Sequence, residues 1–362
     1  MRDAILSLLG EMVAYDTRNP PRAIVGDAGI FPMIADRLSA AGCDVTINDL
    51  GDGSVNLYAE RGHPSILFNV HLDTVPADAT WSADPHVLRI KGNHAIGLGA
   101  CDIKGAAAAL IAAIESRADA PAAVLFSSDE EAGPGRCVLA FLDALPFEPA
   151  CVIVAEPTEC SAVLGHRGLR TVEGVFHGEA GHASKSLEHT RSAIHAACQW
   201  VTTALEHASG FQEPDAFGMK GLRFNTGVIE GGLKANMIAS RARVVFGMRP
   251  RPGDDANVLL KVLCNLGEGK HAEWTQRYCL PSLIPTDASV AAARALNLQI
   301  AEPVDFGTEA ALFAAAGLPA IVLGPGNIAQ AHTADEWVAI EQLERACTLY
   351  SQVMTSSVSL SV

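Results

Sequence analysis

Three times along this chain an apolar run stops at an acidic or imidazole side chain, and that recurrence restricts the fold more than any other feature. Ile66-Leu67-Phe68-Asn69-Val70 stops at His71 and Asp73; residues 122–127 run into Ser128-Asp129-Glu130-Glu131; Cys151-Val152-Ile153-Val154-Ala155 stops at Glu156. Short runs of this kind read as strands buried on both faces. Helical stretches separate them, notably residues 106–117, rich in Ala and Leu. Buried strands alternating with helices predict an α/β chain with a mostly parallel central sheet flanked by helices. Such a sheet carries its site at the carboxyl ends of its strands. His71 and Asp73, two apart at one strand end, point to the same side.

At 362 residues the chain exceeds the size at which one core usually keeps growing, so two domains are expected. The texture changes after His166-Arg167-Gly168: strands at 168–177, 222–229 and 239–248 and helices at 190–207 and 254–266 predict a compact α+β two-layer unit. From about Ala272 the α/β pattern resumes, with helices at 288–298 and after Gly307-Thr308-Glu309, a buried strand at 320–323 and a last helix at 340–354. The predicted division is therefore 1–165 with 278–362, and an insert at 166–277. A loop at 74–91 with Pro76, Trp81 and Pro85 is of the kind that lies over a site.

The net charge of −15 disfavours a nucleic-acid groove or an anionic membrane surface, both of which reward a basic face. No stretch approaches 18 uninterrupted apolar residues, and Met1 leads into an amphipathic helix pattern without the apolar core of a secretion signal. The nine cysteines are scattered and form no C-x-x-C pair, which suggests reduced thiols and a cytoplasmic setting.

The glycine turn Gly97-Leu98-Gly99-Ala100-Cys101-Asp102 precedes the Ala-rich helix. A dinucleotide loop would need Gly where Asp102 stands, so this turn instead aims Asp102 at the edge that carries His71. Read alone, Asp102 could equally cap the helix. His332 stands in the late stretch Ala331-His332-Thr333-Ala334-Asp335-Glu336-Trp337. His71, Asp102, Glu131, Glu156 and His332 together offer two imidazoles and three carboxylates, which suit a pair of divalent cations sharing one carboxylate. Such a pair polarises a carbonyl and activates water, which is the chemistry of amide or ester hydrolysis. A serine hydrolase is disfavoured because no G-x-S-x-G elbow occurs, and a Cys101 nucleophile because its neighbour is a candidate ligand.

In order along the chain stand NVHLDTVP (69–76), GLGACDIKG (97–105), SSDEEAG (127–133), AEPT (155–158), HRG (166–168), GHASKS (181–186), FGMRPRPG (246–253), GTEA (307–310), VLGPG (322–326) and QAHTADEW (330–337). The ordered set resembles the metal-dependent aminoacylase family that includes acetylornithine deacetylase, succinyl-diaminopimelate desuccinylase and related carboxypeptidases. It is most similar to the acetylornithine and N-acetylcitrulline deacetylase branch. The resemblance implies a zinc-peptidase-like catalytic domain with an inserted lid and dimerisation domain, and two zinc or cobalt ions, one or both of them bound.

It further implies that His71, Asp102 and Glu156 hold one ion and Asp102, Glu131 and His332 the other, bridged by Asp102. Asp73 would orient His71 and Glu130 would be the general base. His182 would reach a partner subunit's site and stabilise the oxyanion, while Asn236 and Arg249 hold the substrate's α-carboxylate and Gly326 contacts the substrate. The implied protein is a homodimer acting on a small N-acetyl amino acid, acetylcitrulline ahead of acetylornithine. A dipeptidase or carboxypeptidase, and a catalytically silent binder of acylated amino acids, are the other readings; the last predicts a missing ligand or base, and none is missing. The chain departs from the family at Ile103, Ser186 and Gly247, none of them a ligand; Ser186 and Gly247 lie near lid elements that shape specificity.

Overall fold

A computed structural model describes residues 1–133, 135–184 and 191–356; Ser186 lies outside them. The chain divides into two compact units, Met1–Leu164 with Pro285–Glu302 and Thr308–Val362, and Gly165–Ile284 with Pro303–Gly307.

The first unit is built on a six-stranded sheet in the order Asp44–Asp49, Val55–Arg61, Ala122–Ser127, Ile66–His71, Cys151–Val154, Ala320–Val322. The last four strands of that order run parallel, and the first two join antiparallel. Every residue of those four parallel strands is buried, as continuous apolar runs require when both faces are covered. Against the sheet lies the helix Lys104–Ser116, buried from Lys104 to Ile114. Its alanines let it pack between the helices Arg2–Val13 and Ile340–Thr355. Phe68 meets Tyr350 edge-on at 5.4 Å between centroids, and the Tyr350 hydroxyl donates to the Leu323 carbonyl, so its one polar atom is satisfied inside the core. A small antiparallel sheet joins Arg89–Lys91, His94–Ile96 and Trp337–Ala339, and its first strand lies at the end of the 74–91 stretch read as loop. Its strands are three residues long, too short to show a period.

The second unit is an antiparallel sheet in the order Arg223–Gly231, Arg241–Arg249, Leu169–His177, Glu273–Leu280, with helices Ala193–Ser209 and Ala256–Asn265 packed around buried Trp200. Trp200 donates from Nε1 to the Leu263 carbonyl at 2.9 Å, and Trp274 stands 4.7 Å from it. The strand Glu273–Leu280 corrects the reading that the α/β pattern resumes at Ala272. It is an outer strand with few buried residues, defined by pairing with Leu169–His177 rather than by its own hydrophobic pattern. Residues Pro303–Gly307 also return to this unit, for an electrostatic reason. Arg167 is 1% exposed, and a buried guanidinium needs a carboxylate. Asp305 accepts from its Nε at 2.5 Å, while Nη1 and Nη2 reach the Gly221 and Lys220 carbonyls.

Candidate metal centre

Because Ile66–His71 runs parallel to both Ala122–Ser127 and Cys151–Val154, the chain leaves all three strands at one end of the sheet. His71 closes the first strand, Glu130 and Glu131 follow the second, and Glu156 follows the third. Asp102 arrives from the turn ahead of Lys104–Ser116, and its side chain is no helix cap. Glycine is required in that turn: Gly99 has φ +79, and a Cβ on Gly105 would sit 2.2 Å from the Ala100 carbonyl oxygen.

The two imidazoles approach opposite oxygens of one carboxylate. His71 Nε2 lies 3.1 Å from Asp102 Oδ1 and 3.7 Å from Glu156 Oε1. His332 Nε2 lies 3.3 Å from Asp102 Oδ2 and 3.2 Å from Glu131 Oε1. In each trio, His71-Asp102-Glu156 and Asp102-Glu131-His332, one donor atom from every residue falls within 4.8 Å of the others, close enough to hold a metal ion. The structure thus brings together all five side chains singled out as ligands.

The electrostatics suit divalent cations. Burial would push the His71 imidazole down, yet hydrogen bonds to Asp102 and Asp73 hold it well above its usual range. Asp102 and Glu131 push His332 up to about 11. Burial drives Glu156 well up, with repulsion from Asp102 adding to it. Burial also drives Glu130 well up, opposed by His71 and reinforced by Glu131 and Glu309, and it raises Glu131 with help from Asp102. Asp102 alone is held well below the usual carboxylate range, against burial, by its hydrogen bonds from His332 and His71. Carboxylates that resist ionisation beside imidazoles that keep their protons mark a shortage of positive charge. Mixed nitrogen and oxygen donors without sulfur fit borderline divalent ions, whose charge would reverse the upward shifts and hold Asp102 lower still.

Around these five, Asp73 is buried and fully engaged. Its Oδ2 accepts from Asn19 Nδ2 at 2.9 Å and from the Glu131 backbone N–H at 3.0 Å, and its Oδ1 from the Glu130 N–H at 3.3 Å. His71 Nδ1 donates to the Asp73 backbone carbonyl at 3.0 Å, which leaves Nε2 as the ring atom facing Asp102 and Glu156, the one available to a metal once its proton is displaced. Asp129 faces elsewhere: it accepts from the backbone N–H groups of Arg136 and Cys137 and from Ser54 Oγ. The acidic turn is therefore divided, one acid serving a helix start and two serving the site.

Cys101 is fully buried, and burial followed by Glu336 and Asp102 pushes its thiol far up, which removes it as a nucleophile. Gly326 donates its N–H to Gln342 Oε1 and accepts from the Glu159 N–H, so both backbone groups are taken. His182, Asn236 and Arg249 belong to the second unit. There His182 pairs with Met237 and touches Ser184 Oγ at 2.7 Å, the Asn236 carbonyl accepts from the Ala183 N–H, and Arg249 ends a sheet strand opposite Arg223.

Sequence reasoning gave no role to three buried residues. Asn19 supports Asp73. Glu309 accepts from Ser127 Oγ at 2.7 Å and is pushed up to about 7 by burial and Asp129. Glu336 accepts from three backbone N–H groups of the Asp102 turn. Glu309 and Glu336 stand inside the motifs GTEA and QAHTADEW, but neither motif shows what its acid would face.

The chain is 48% identical over 97% of its length, and 98% of the relative's, to N-acetyl-L-citrulline deacetylase from Xanthomonas campestris pv. campestris. It is 30% identical, over 91% of each chain, to acetylornithine deacetylase from Vibrio vulnificus. Its fold matches the crystal structure of a tripeptidase from Staphylococcus aureus, with a TM-score of 0.78 at 18% identity and 98% of both chains covered. The sequence model of peptidase family M20/M25/M40 matches residues 67–356. A chain matched over that span, with its acids and imidazoles gathered at the carboxyl ends of a parallel sheet, belongs to the M20/M25/M40 peptidase family.

Proposed function

We propose that this protein is a metal-dependent amidohydrolase that converts N-acetyl-L-citrulline to L-citrulline and acetate, a step of arginine biosynthesis. The meeting of two imidazoles and three acids around Asp102 carries the chemistry, and near-half identity to a citrulline deacetylase along the whole chain carries the substrate. Two divalent ions, zinc or cobalt, would be held by His71, Asp102 and Glu156 and by Asp102, Glu131 and His332. Bound there, they would polarise the amide carbonyl and ease ionisation of water.

The rest falls to the chain's own side chains. Glu130, next to a ligand, takes a proton from the attacking water and delivers it to the leaving α-amine. Asp73 and its carbonyl keep His71 oriented. Arg249 and Asn236 take the α-carboxylate, for which a guanidinium fork is suited, and His182 takes the developing oxyanion. Acetylornithine is the second substrate reading, favoured by the Vibrio relative. Its ammonium group would need a facing carboxylate, and Glu309 is buried against Ser127.

The second unit serves as a lid and pairs with a second copy in the cytoplasm. Supporting this, the outer strand Arg223–Gly231 leaves Val228 and Ile229 exposed, with Leu233 86% exposed beyond it. Turnover of acetylcitrulline, acetylornithine and dipeptides, compared with zinc or cobalt added, tests the assignment. At least tenfold higher kcat/KM for acetylcitrulline is expected, and dominant dipeptide hydrolysis would overturn it.

A further inference from the structure

The turn 332–336 does two things at once. It delivers His332 to the Asp102-Glu131-His332 trio, and four residues on it places Glu336, 2% exposed, under the turn that carries Asp102. Glu336 Oε2 accepts from the Gly99 N–H at 2.8 Å, and Oε1 accepts from the Cys101 and Asp102 N–H groups at 2.8 and 2.9 Å. The Glu336 backbone carbonyl adds a fourth link, accepting from the Gly97 N–H at 3.0 Å. Buried Lys104, on the same stretch, donates from Nζ to the Tyr15 carbonyl at 2.9 Å and lies within electrostatic reach of Glu336.

The turn is also restrained along its own length. His332 and Asp335 hold left-handed backbone, with φ of 57 and 55, which non-glycine residues keep only where the surroundings enforce it. Asp335 is anchored by Arg89 at 2.6 Å and by Ser82 Oγ at 2.9 Å. A carboxylate accepting several charge-assisted N–H bonds inside a protein has little freedom to move.

We propose that Glu336 is a positioning residue: its carboxylate gathers the N–H groups of Gly99, Cys101 and Asp102 and fixes the spacing of Asp102 from His332 before any ion binds. This rests on the reading of Asp102 and His332 as ligands. It goes further by assigning their mutual placement to one buried acid that touches neither ion nor substrate. Partners that orient metal ligands typically change metal affinity or activity by about 10–100-fold when removed.

Two measurements decide it. In the metal-free full-length chain, hydrogen exchange at Gly99, Cys101 and Asp102 should already be slowed at least a hundredfold; free exchange there, with protection appearing only on adding zinc, overturns the proposal. In Glu336→Gln, where an amide NH2 replaces one acceptor, zinc titration by calorimetry should show at least one ion bound tenfold or more weakly. Its kcat for acetylcitrulline should fall at least tenfold, with KM within twofold. Unchanged affinity and kcat in a folded Glu336→Gln chain also overturn it. If the unsubstituted chain binds no divalent ion, the ligand reading fails by itself and the exchange experiment alone judges the clamp. If Glu336→Gln does not fold, the same exchange experiment decides.

Discussion

The carboxylate of Asp73 accepts the backbone N–H of Glu131 at 3.0 Å, so the residue beside His71 also sets the turn that carries two of the site's acids. The His71 Nδ1 faces both the Asp73 backbone carbonyl at 3.0 Å, which a substitution leaves in place, and the Asp73 carboxylate at 3.4 Å.

Asp73→Ala should therefore leave His71 with the backbone carbonyl alone to hold Nδ1, while releasing the 130–131 turn and stranding the Asn19 amide. Buried donors left unpaired cost about 1–3 kcal/mol each, and water can replace part of that, so a loss of roughly 2–4 kcal/mol is expected in urea unfolding. Turnover should fall with it. A change below about 0.5 kcal/mol would show the contacts to be unimportant.

Glu130→Gln should abolish the proton transfers and nothing else. Turnover should drop by roughly 100–10,000-fold, while metal content, read by elemental analysis after dialysis, stays at the unsubstituted level. Metal lost together with activity would make Glu130 a ligand.

Divalent ions should stabilise the folded chain, because their donors are assembled only on folding. Zinc at a hundred times its dissociation constant stabilises by about 2.7 kcal/mol, raising the melting temperature by roughly 3–8 °C over the chelator-treated chain. Asp102→Ala removes the carboxylate common to both trios and should erase most of that rise. An equal rise in this variant would place the ions elsewhere.

Acid should weaken the second unit through Asp305. Burial would raise its carboxyl, but hydrogen bonds from Arg167 and Arg223 hold it below the ordinary carboxylate value. A folded value below the unfolded one means a contribution fully present above about pH 4 and lost as the pH falls through the lowered folded value. Asp305→Ala should cost about 2 kcal/mol at pH 7, less than for a fully buried pair because Asp305 is half-exposed. It should also flatten the acid dependence of unfolding below about pH 4. Superimposable acid titrations of the two chains would contradict this.

What the sequence determined by itself was local. Largely apolar runs at 66–70, 122–127 and 151–155 read as strands covered on both faces, and residues at their ends must share one edge if the strands are parallel; His71, Glu131 and Glu156 were legible for that reason. Asp102 and His332 were legible as residue types within recognisable motifs, and the inserted unit as a change of texture. Tertiary structure alone decided the rest. The strand Glu273–Leu280 owes its identity to a partner about a hundred residues away, and Pro303–Gly307 returns to the second unit because a buried guanidinium needs Asp305. Glu336 looked like one more acid of an acidic chain. Its carboxylate acquires meaning only when the Asp102 turn, more than two hundred residues earlier, brings three N–H groups into a space that water does not reach, where each of them needs an acceptor.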